Sequence, residues 1–338
     1  MIKAPRFNIG LIGCGYMGNR RAQNLGMQGQ LYACADKDIK KAQALAQAYE
    51  AHLFSDWNDL IRCAHVDIVL IATPHDLLAP IARVALESGK HVFIEKPGAR
   101  TPSELGSLHA LTEKKAVKVR VGFNHRYHPA LMKARDLVDS GALGELMFLR
   151  GRYGHGGRLG YEQEWRSNPA ISGGGHLMDQ GPHMIDLARW FLGEFSDVHG
   201  SAQTYFWNMP VEDNAFLILK TEEKKTAFLH VSCTEWKNLF SFEIYGKKGK
   251  IDICGLGGSY GPETLTWYAM SSAMGLPRVQ TWNYPAPDIS WQCEMEDFYC
   301  DILNNRSPSA GLTDAYAALK IVHAVYKDSG YDYCTQSA

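Results

Sequence analysis

No sign of charge prevails in this 338-residue chain: 35 Lys and Arg stand against 36 Asp and Glu, leaving a formal net charge of −1. A protein that held nucleic acid or an anionic membrane by electrostatics would show a basic excess, so neither partner is expected. Long apolar runs are missing too. Stretches such as 68–72 fall far short of the ~20 residues that a membrane-spanning helix needs. The apolar start at 7–12 runs into glycines without a small-residue cleavage pattern, so no signal peptide is expected. None of the eight cysteines (14, 34, 63, 233, 254, 293, 300 and 334) forms a Cys-x-x-Cys pair. The histidines do not complete a zinc spacing either, so no metal is expected. Cys34 and Cys254 lie in or beside apolar runs, where a reduced thiol packs as a small hydrophobe. Repeats and low-complexity tails are absent. What is left is a soluble, cytoplasmic, globular protein with free thiols, long enough for two domains.

The chain changes character near Phe123. Before it, β-branched runs at 7–12, 31–35, 66–72, 91–94 and 117–121 alternate with helix-length segments at 19–27, 38–50, 77–88 and 102–115. That rhythm predicts βαβ units in a doubly wound parallel sheet, an α/β Rossmann domain over 1–123. Beyond 123 the spacing predicts a helix at 129–140, a strand at 145–153, a glycine-rich irregular stretch and a helix ending at 190–192. Alternating runs at 198–206, 214–220, 226–233, 240–245 and 250–253, joined by short turns, predict a mainly antiparallel sheet. Residues 255–287 read as loop or ragged edge, and 291–304 and 313–327 as closing helices. An α+β domain over 124–338 is expected, with the uncovered face of its sheet available for self-association. Tyr205, Phe206, Trp207 and Trp236 are expected in its sheet core or a subunit contact.

Gly13-Cys14-Gly15-Tyr16-Met17-Gly18 follows an apolar run, opens a helix, and stands 18 residues before Asp36 at the end of the second predicted strand. In that setting the glycines have separate uses. Gly13 and Gly15 permit a tight turn and close approach of a diphosphate to the helix start, with Tyr16 and Met17 in the same turn. Gly18 lets helix and strand pack closely. Asp36 then accepts hydrogen bonds from the adenosine ribose and repels a 2′-phosphate, which favours NAD. The adjacent Lys37 offsets that repulsion and keeps NADP possible.

These residues belong to a longer series. The fingerprint, Ala72-Thr73-Pro74, Gly89 to Pro97 with its Glu95-Lys96-Pro97, Gly122 to Tyr127, and Gly173 to Asp186 follow one another in order. Together they resemble the Gfo/Idh/MocA family, the group of glucose–fructose oxidoreductase and inositol dehydrogenase. The resemblance implies a Rossmann domain followed by an open-faced antiparallel sheet, with substrate between them and dimers or tetramers built through the sheet. It adds Thr73, Pro74, Glu95 and Lys96 to the cofactor side and implies a cis Lys96–Pro97 bond. One departure shows: where the family often has His, five residues after the Thr, this chain has Leu78.

Lys96 follows a strand end, where ligands of doubly wound sheets bind. Asp179 and His183 are four residues apart and share one helix face, which Asp186 extends. Pro182 belongs in a first turn, so this helix is expected to start near 179–181 with His183 at its mouth. Oxidising a secondary alcohol needs a hydride acceptor, a base for the hydroxyl proton, and a group that stabilises charge on the oxygen. NAD(P), His183 and Lys96 fill these roles, and Asp179 orients His183 or binds a neighbouring hydroxyl. Lys96 and His183 can share the proton. Asn124, Arg126, Tyr153, His155, Arg158, Trp165 and Arg166 are candidates for binding a polyol, sugar or nucleotide-sugar. Two other functions compete: a glycosidase that retains NAD and oxidises transiently, and a regulator that senses NAD without turnover.

Overall fold

The computed structural model describes residues 6–112, 115–271, 275–285 and 287–331. It divides into two compact units: 1–123 with Trp291–Leu319, and Asn124–Ser290 with 320–338.

In the first unit, strands β1 (Phe7–Ile12), β2 (Gly29–Ala35), β3 (His52–Phe54), β4 (Ile68–Ile71), β5 (His91–Ile94) and β6 (Val119–Val121) form one sheet. Its order is β3-β2-β1-β4-β5-β6, and every pairing is parallel. Helices α1 (Tyr16–Ala22), α2 (Ile39–Tyr49), α3 (Trp57–Arg62), α4 (His75–Glu87) and α5 (Pro102–Thr112) connect the strands. All four residues of β4 are buried, as a parallel sheet covered on both faces requires. The expected helix over 102–115 is described as far as Thr112; residues 113 and 114 lie outside the described ones. β3 and α3 have no counterpart in the sequence reading. They are too short to carry a periodicity.

The second unit opens on a 3-10 turn (Asn124–Tyr127), then α6 (Pro129–Asp139), β7 (Leu146–Gly154), α7 (Pro169–Ser172) and α8 (His176–Leu192). Next come β8 (Asp197–Gln203), β9 (Asn214–Lys220), β10 (Thr226–Ser232), β11 (Leu239–Gly246), β12 (Gly249–Cys254), β13 (Glu263–Ala269) and β14 (Arg278–Tyr284). The eight strands from β7 on lie in the order β14-β13-β12-β11-β7-β10-β9-β8. All pairings are antiparallel except β7 with β10, which is parallel. Burial alternates along β9 and β11, so one face is covered and the other is open. α8 packs on the covered face against β7, β9 and β10. Phe216, Ile218 and Phe228 are exposed on the strands.

Three expectations change. Residues 255–287 are not wholly loop: β13 and β14 pair over seven residues each within them, while 272–274 and 286 lie outside the described residues. The C-terminal segment does not stay with the second domain. α9 (Ser290–Leu303) and α10 (Leu312–Asp328) close the chain, but Trp291–Leu319 clusters with the first unit. The reason is apolar burial: Met295, Phe298 and Tyr299 join Ile9, Leu11 and Phe93 in one core. Of the two places expected for Tyr205, Phe206 and Trp236, the sheet core is excluded, because they are 67%, 58% and 65% exposed; a subunit contact remains their expected place.

Cys14, Cys34 and Cys233 are free and buried, and Cys254 is exposed; Cys334 lies outside the described residues. No described helix is long and apolar enough to cross a membrane.

Candidate active site

In the first unit the glycine turn sits between β1 and α1, and its three glycines differ in what they meet. Gly13 has φ +96°, and a Cβ there would come within 2.5 Å of the Ala72 carbonyl oxygen. A Cβ on Gly18 would come within 1.9 Å of the Gly13 oxygen, so this glycine lets helix and turn touch. Gly15 is different. A Cβ on it would meet nothing within 4 Å, and its φ of −73° suits any residue. The chain's own packing does not require glycine there; a ligand lying on the turn would.

Asp36 stands beside this turn. One carboxylate oxygen accepts from the Cys14 amide at 2.6 Å, the other from the Asp38 amide at 2.8 Å. A carboxylate has about four lone-pair sites, so acceptor capacity remains for sugar hydroxyls. Lys37 and Tyr16 are exposed, and Met17 and Pro74 are half-buried. Thr73, past the end of β4, has its hydroxyl oxygen buried with no hydrogen-bond partner. The open room over Gly15, the spare acceptors of Asp36 and the unsatisfied Thr73 hydroxyl all fit a bound dinucleotide.

Lys96 is half-buried just beyond β5, and the Lys96–Pro97 bond is cis. Its neighbour Glu95 is committed elsewhere. It is buried and takes Arg21 at 2.5 Å, while Arg21 also pairs with Glu294 at 2.7 Å. The Arg21 guanidinium lies between the rings of Phe93 and Trp291, at 4.3 and 4.5 Å. Glu95 therefore supports the strand end from below.

In the second unit the residues gather around α8. This helix starts at His176, preceded by Gly175, so the expected start at 179–181 is corrected and Pro182 lies inside the helix. Gly175 has no side chain to cap the exposed amides, and a distant residue does so. Glu212 accepts from the Gly175 amide at 3.0 Å with one oxygen. Its other oxygen accepts from the Leu177 amide and the Tyr326 hydroxyl, both at 2.8 Å. Burial pushes the Glu212 carboxyl up to about 7 against the pull of these hydrogen bonds. With both carboxylate oxygens on its first turn, α8 begins one turn earlier than Pro182 alone suggests.

Asp179 and His183 are both buried on α8. Arg166 Nε donates to Asp179 Oδ2 at 3.3 Å, and its guanidinium lies 4.6 Å from the ring centroid of Trp165. Burial works against the Arg166 charge, but Asp179, Tyr161 and Glu164 more than compensate and raise its pKa. Tyr153 on β7 is buried and stands edge-on to His183, with ring centroids 6.4 Å apart. Burial, then Tyr260 and Asp179, push its phenol well up and keep it protonated. His155 takes the Gly157 amide at 2.9 Å on Nδ1 and meets the rings of Tyr161 and His176 edge-on.

Other candidates are drawn into structural pairs. Arg126 grips Asp186 through two hydrogen bonds of 2.8 and 2.5 Å, both side chains buried. Asn124 gives its amide to Ser290 at 2.9 Å. Arg158 is exposed and pairs with Glu164 at 2.7 Å. The sequence reading also left residues unassigned. His125, whose ring stacks on that of His183 at 3.9 Å, lies within Gly122–Tyr127, where nothing in the sequence distinguishes it from its neighbours. Glu212 has no local signal, being 35 residues from the amide it caps.

Comparison with known proteins gives a consistent picture. Residues 7–123 match an oxidoreductase family with an NAD-binding Rossmann fold, and 131–252 match the GFO/IDH/MocA C-terminal domain. The chain is 34% identical over 218 residues to a levoglucosan dehydrogenase of Pseudarthrobacter phenanthrenivorans, a match covering 61% of this chain and 56% of that protein. It thus spans little more than half of that relative's length. An inositol 2-dehydrogenase of Salmonella typhimurium is 25% identical over 342 residues, covering 96% of this chain and 94% of its own. A solved levoglucosan dehydrogenase in complex with NADH and levoglucosan superposes with a TM-score of 0.88 at 25% identity, covering 96% of this chain and 97% of that one.

Proposed function

Because the chain belongs to the Gfo/Idh/MocA oxidoreductase family, we propose that it is an NAD-dependent dehydrogenase of a cyclic polyol, sugar or nucleotide-sugar. The observation that carries this reading is the placement of Asp179 and His183 one turn apart on a buried face of α8, with Arg166 on Asp179. Relatives named for inositol and levoglucosan, both ring polyols, support the substrate class.

When bound, the nicotinamide supplies a hydride acceptor. The residues of the chain handle the rest. His183 takes the proton from the substrate hydroxyl as the carbon-bound hydrogen leaves with its electron pair, giving a carbonyl. Lys96 places a positive charge on the oxygen where negative charge builds up. Asp179, held by Arg166, orients His183 or receives a neighbouring hydroxyl. Tyr153, His155 and Trp165 line the sugar. Gly13, Gly15, Tyr16, Met17 and Gly18 hold the diphosphate, Thr73 and Pro74 continue that surface, and Asp36 selects NAD over NADP by repelling a 2′-phosphate.

The protein is read as cytoplasmic, with no nucleic-acid or membrane partner. It is read as a homodimer or homotetramer formed through the open sheet face bearing Phe216, Ile218 and Phe228. Reduction of NAD⁺ and NADP⁺ across inositols, free sugars, sugar acids, nucleotide-sugars and glycosides tests the function. Substrate-dependent NADH is expected. Cleavage of a glycoside without net NADH would replace the dehydrogenase by an NAD-retaining glycosidase, and cofactor binding with no turnover on any of them would favour a regulator.

A further inference from the structure

This inference rests on His183 as the acceptor of the substrate proton. A second imidazole lies flat against it: the ring centroids of His125 and His183 are 3.9 Å apart and their planes 14° from parallel. Both side chains are buried, at 4% and 5% exposure. The pair is walled in by other rings. Tyr153 meets His125 edge-on at 5.1 Å, Phe240 does so at 5.9 Å, and His128 at 5.7 Å. His128 in turn is anchored through Nδ1 to Glu263 at 3.1 Å. The local sequence explains the placement. The 3-10 turn of 124–127 is pinned to α8 by the Arg126–Asp186 pair, and that pin sets His125 over His183.

We propose that His125 is a positioning residue for the reaction: it fixes the plane of the His183 ring and forms with it a coupled pair that holds one proton, not two. Two imidazolium rings in contact and away from water repel strongly. An imidazole face against one imidazolium is attractive instead. The singly charged pair is thereby favoured and the doubly charged pair disfavoured, and the two protons come off in separate steps. With both rings uncharged before the reaction, the substrate proton arriving at His183 is the one proton the pair holds, and it lands on an oriented ring with a polarisable partner behind it.

The other groups facing the pair do not supply this coupling. On α8, Asp179 favours charge on His183 but is shared with Arg166, and Asp186 is neutralised by Arg126. From β7, Tyr153 stays a neutral phenol. Behind His125, His128 faces Glu263 and, at 3.9 Å, Asp288. Lys96 acts on the substrate oxygen in the proposed function. All of these persist when His125 alone is changed.

The test is an NMR titration of the imidazole side chains in the full-length protein, with His183→Ala used to assign the signals. In the wild type, His183 should titrate in two steps more than about one pH unit apart. In His125→Phe it should titrate in one. Kinetics give a second readout: His125→Ala should lower the plateau kcat by about tenfold. His125→Phe, which restores a flat ring, should recover most of that loss while its acid limb becomes a single ionisation. One-step titration of His183 in both wild type and His125→Phe would overturn the inference, as would an unchanged kcat and pH profile in His125→Ala. Should His125→Ala fail to fold, the phenylalanine variant decides alone. Near-normal turnover in His183→Ala would sink the base assignment without touching the NMR result, so the two failures are distinguishable.

Discussion

The amide of Cys14 donates a 2.6 Å hydrogen bond to Asp36, so the residue read as the cofactor selector also holds the glycine turn in shape. One side chain serves the turn and, in the proposed function, the ribose. Its replacement therefore has two effects that point in different directions. In Asp36→Ser, NAD should bind about tenfold more weakly, as a loosened turn and a lost ribose acceptor imply. The ratio of NADP to NAD dissociation constants should fall toward one, because the repulsion of a 2′-phosphate is gone. Titration of both cofactors decides this, and a wild-type protein that prefers NADP would overturn the role of Asp36.

His183→Ala should reduce turnover by about 10²–10⁴-fold, the usual worth of a positioned acid–base group. NAD affinity should stay nearly unchanged, because the glycine turn belongs to the other unit. The acid limb of the oxidation profile, which reports protonation of the base, should disappear with it. Lys96→Ala should also slow the reaction. A His183→Ala protein with normal turnover and an unaltered profile would pass the base role to Lys96.

Glu212 makes a prediction about stability and pH. Its folded pKa is pushed up to about 7 by burial, above the ordinary carboxyl value near 4.3. Between those values the folded state keeps a proton that the unfolded state has released. The stabilisation is thus complete below about pH 4 and is lost as the pH rises through 7. Urea unfolding at pH 5 and pH 8 should show a drop in the wild type that shrinks by roughly 1–3 kcal/mol in Glu212→Gln. Glu294, also raised to about 7 by burial, is present in both proteins and cancels in the comparison. Equal pH slopes would remove Glu212 from the account.

Arg126→Met should act on stability. It leaves Asp186 charged and buried without its partner, and breaking such a pair costs about 3–5 kcal/mol. The double change Arg126→Met with Asp186→Leu should regain most of that loss. A single variant of wild-type stability with only a raised KM would return Arg126 to the substrate.

Much of this was legible because the signals are local. Gly13 to Gly18, the four-residue buried strand before Thr73, and the i,i+4 spacing of Asp179 and His183 each lie within one or two elements. The misreadings share a different cause. Glu212 caps α8 from 35 residues away, so nothing near Pro182 announced that the helix begins at His176. Met295, Phe298 and Tyr299 complete a core whose other members lie before residue 94. Glu95 and Arg126 looked available because charged residues in a motif suggest ligands; their partners, Arg21 and Asp186, are distant in sequence by 74 and 60 residues. The β13–β14 pair was hidden by its surroundings: neither strand contains Gly or Pro, but the segments around them at 255–262, 275–277 and 285–287 do, and they made the whole stretch read as loop.

The parallel pairing of β7 with β10 bears on the order in which the chain can acquire its structure. Both neighbours of β7 arrive late: Leu149 lies beside Ala227 on one side and Ile244 on the other. During synthesis β7 must wait for some ninety further residues before it has two partners, and pairings of such long sequence separation form slowly. The first unit waits longer still, because its core lacks Met295, Phe298 and Tyr299 until they are made, some two hundred residues after Phe93. A nascent chain halted after Tyr284 has every described strand of both sheets, but the core of its first unit is still missing three buried members. Such a chain would expose the apolar surface around Phe93 that Phe298 of α9 covers in the folded structure.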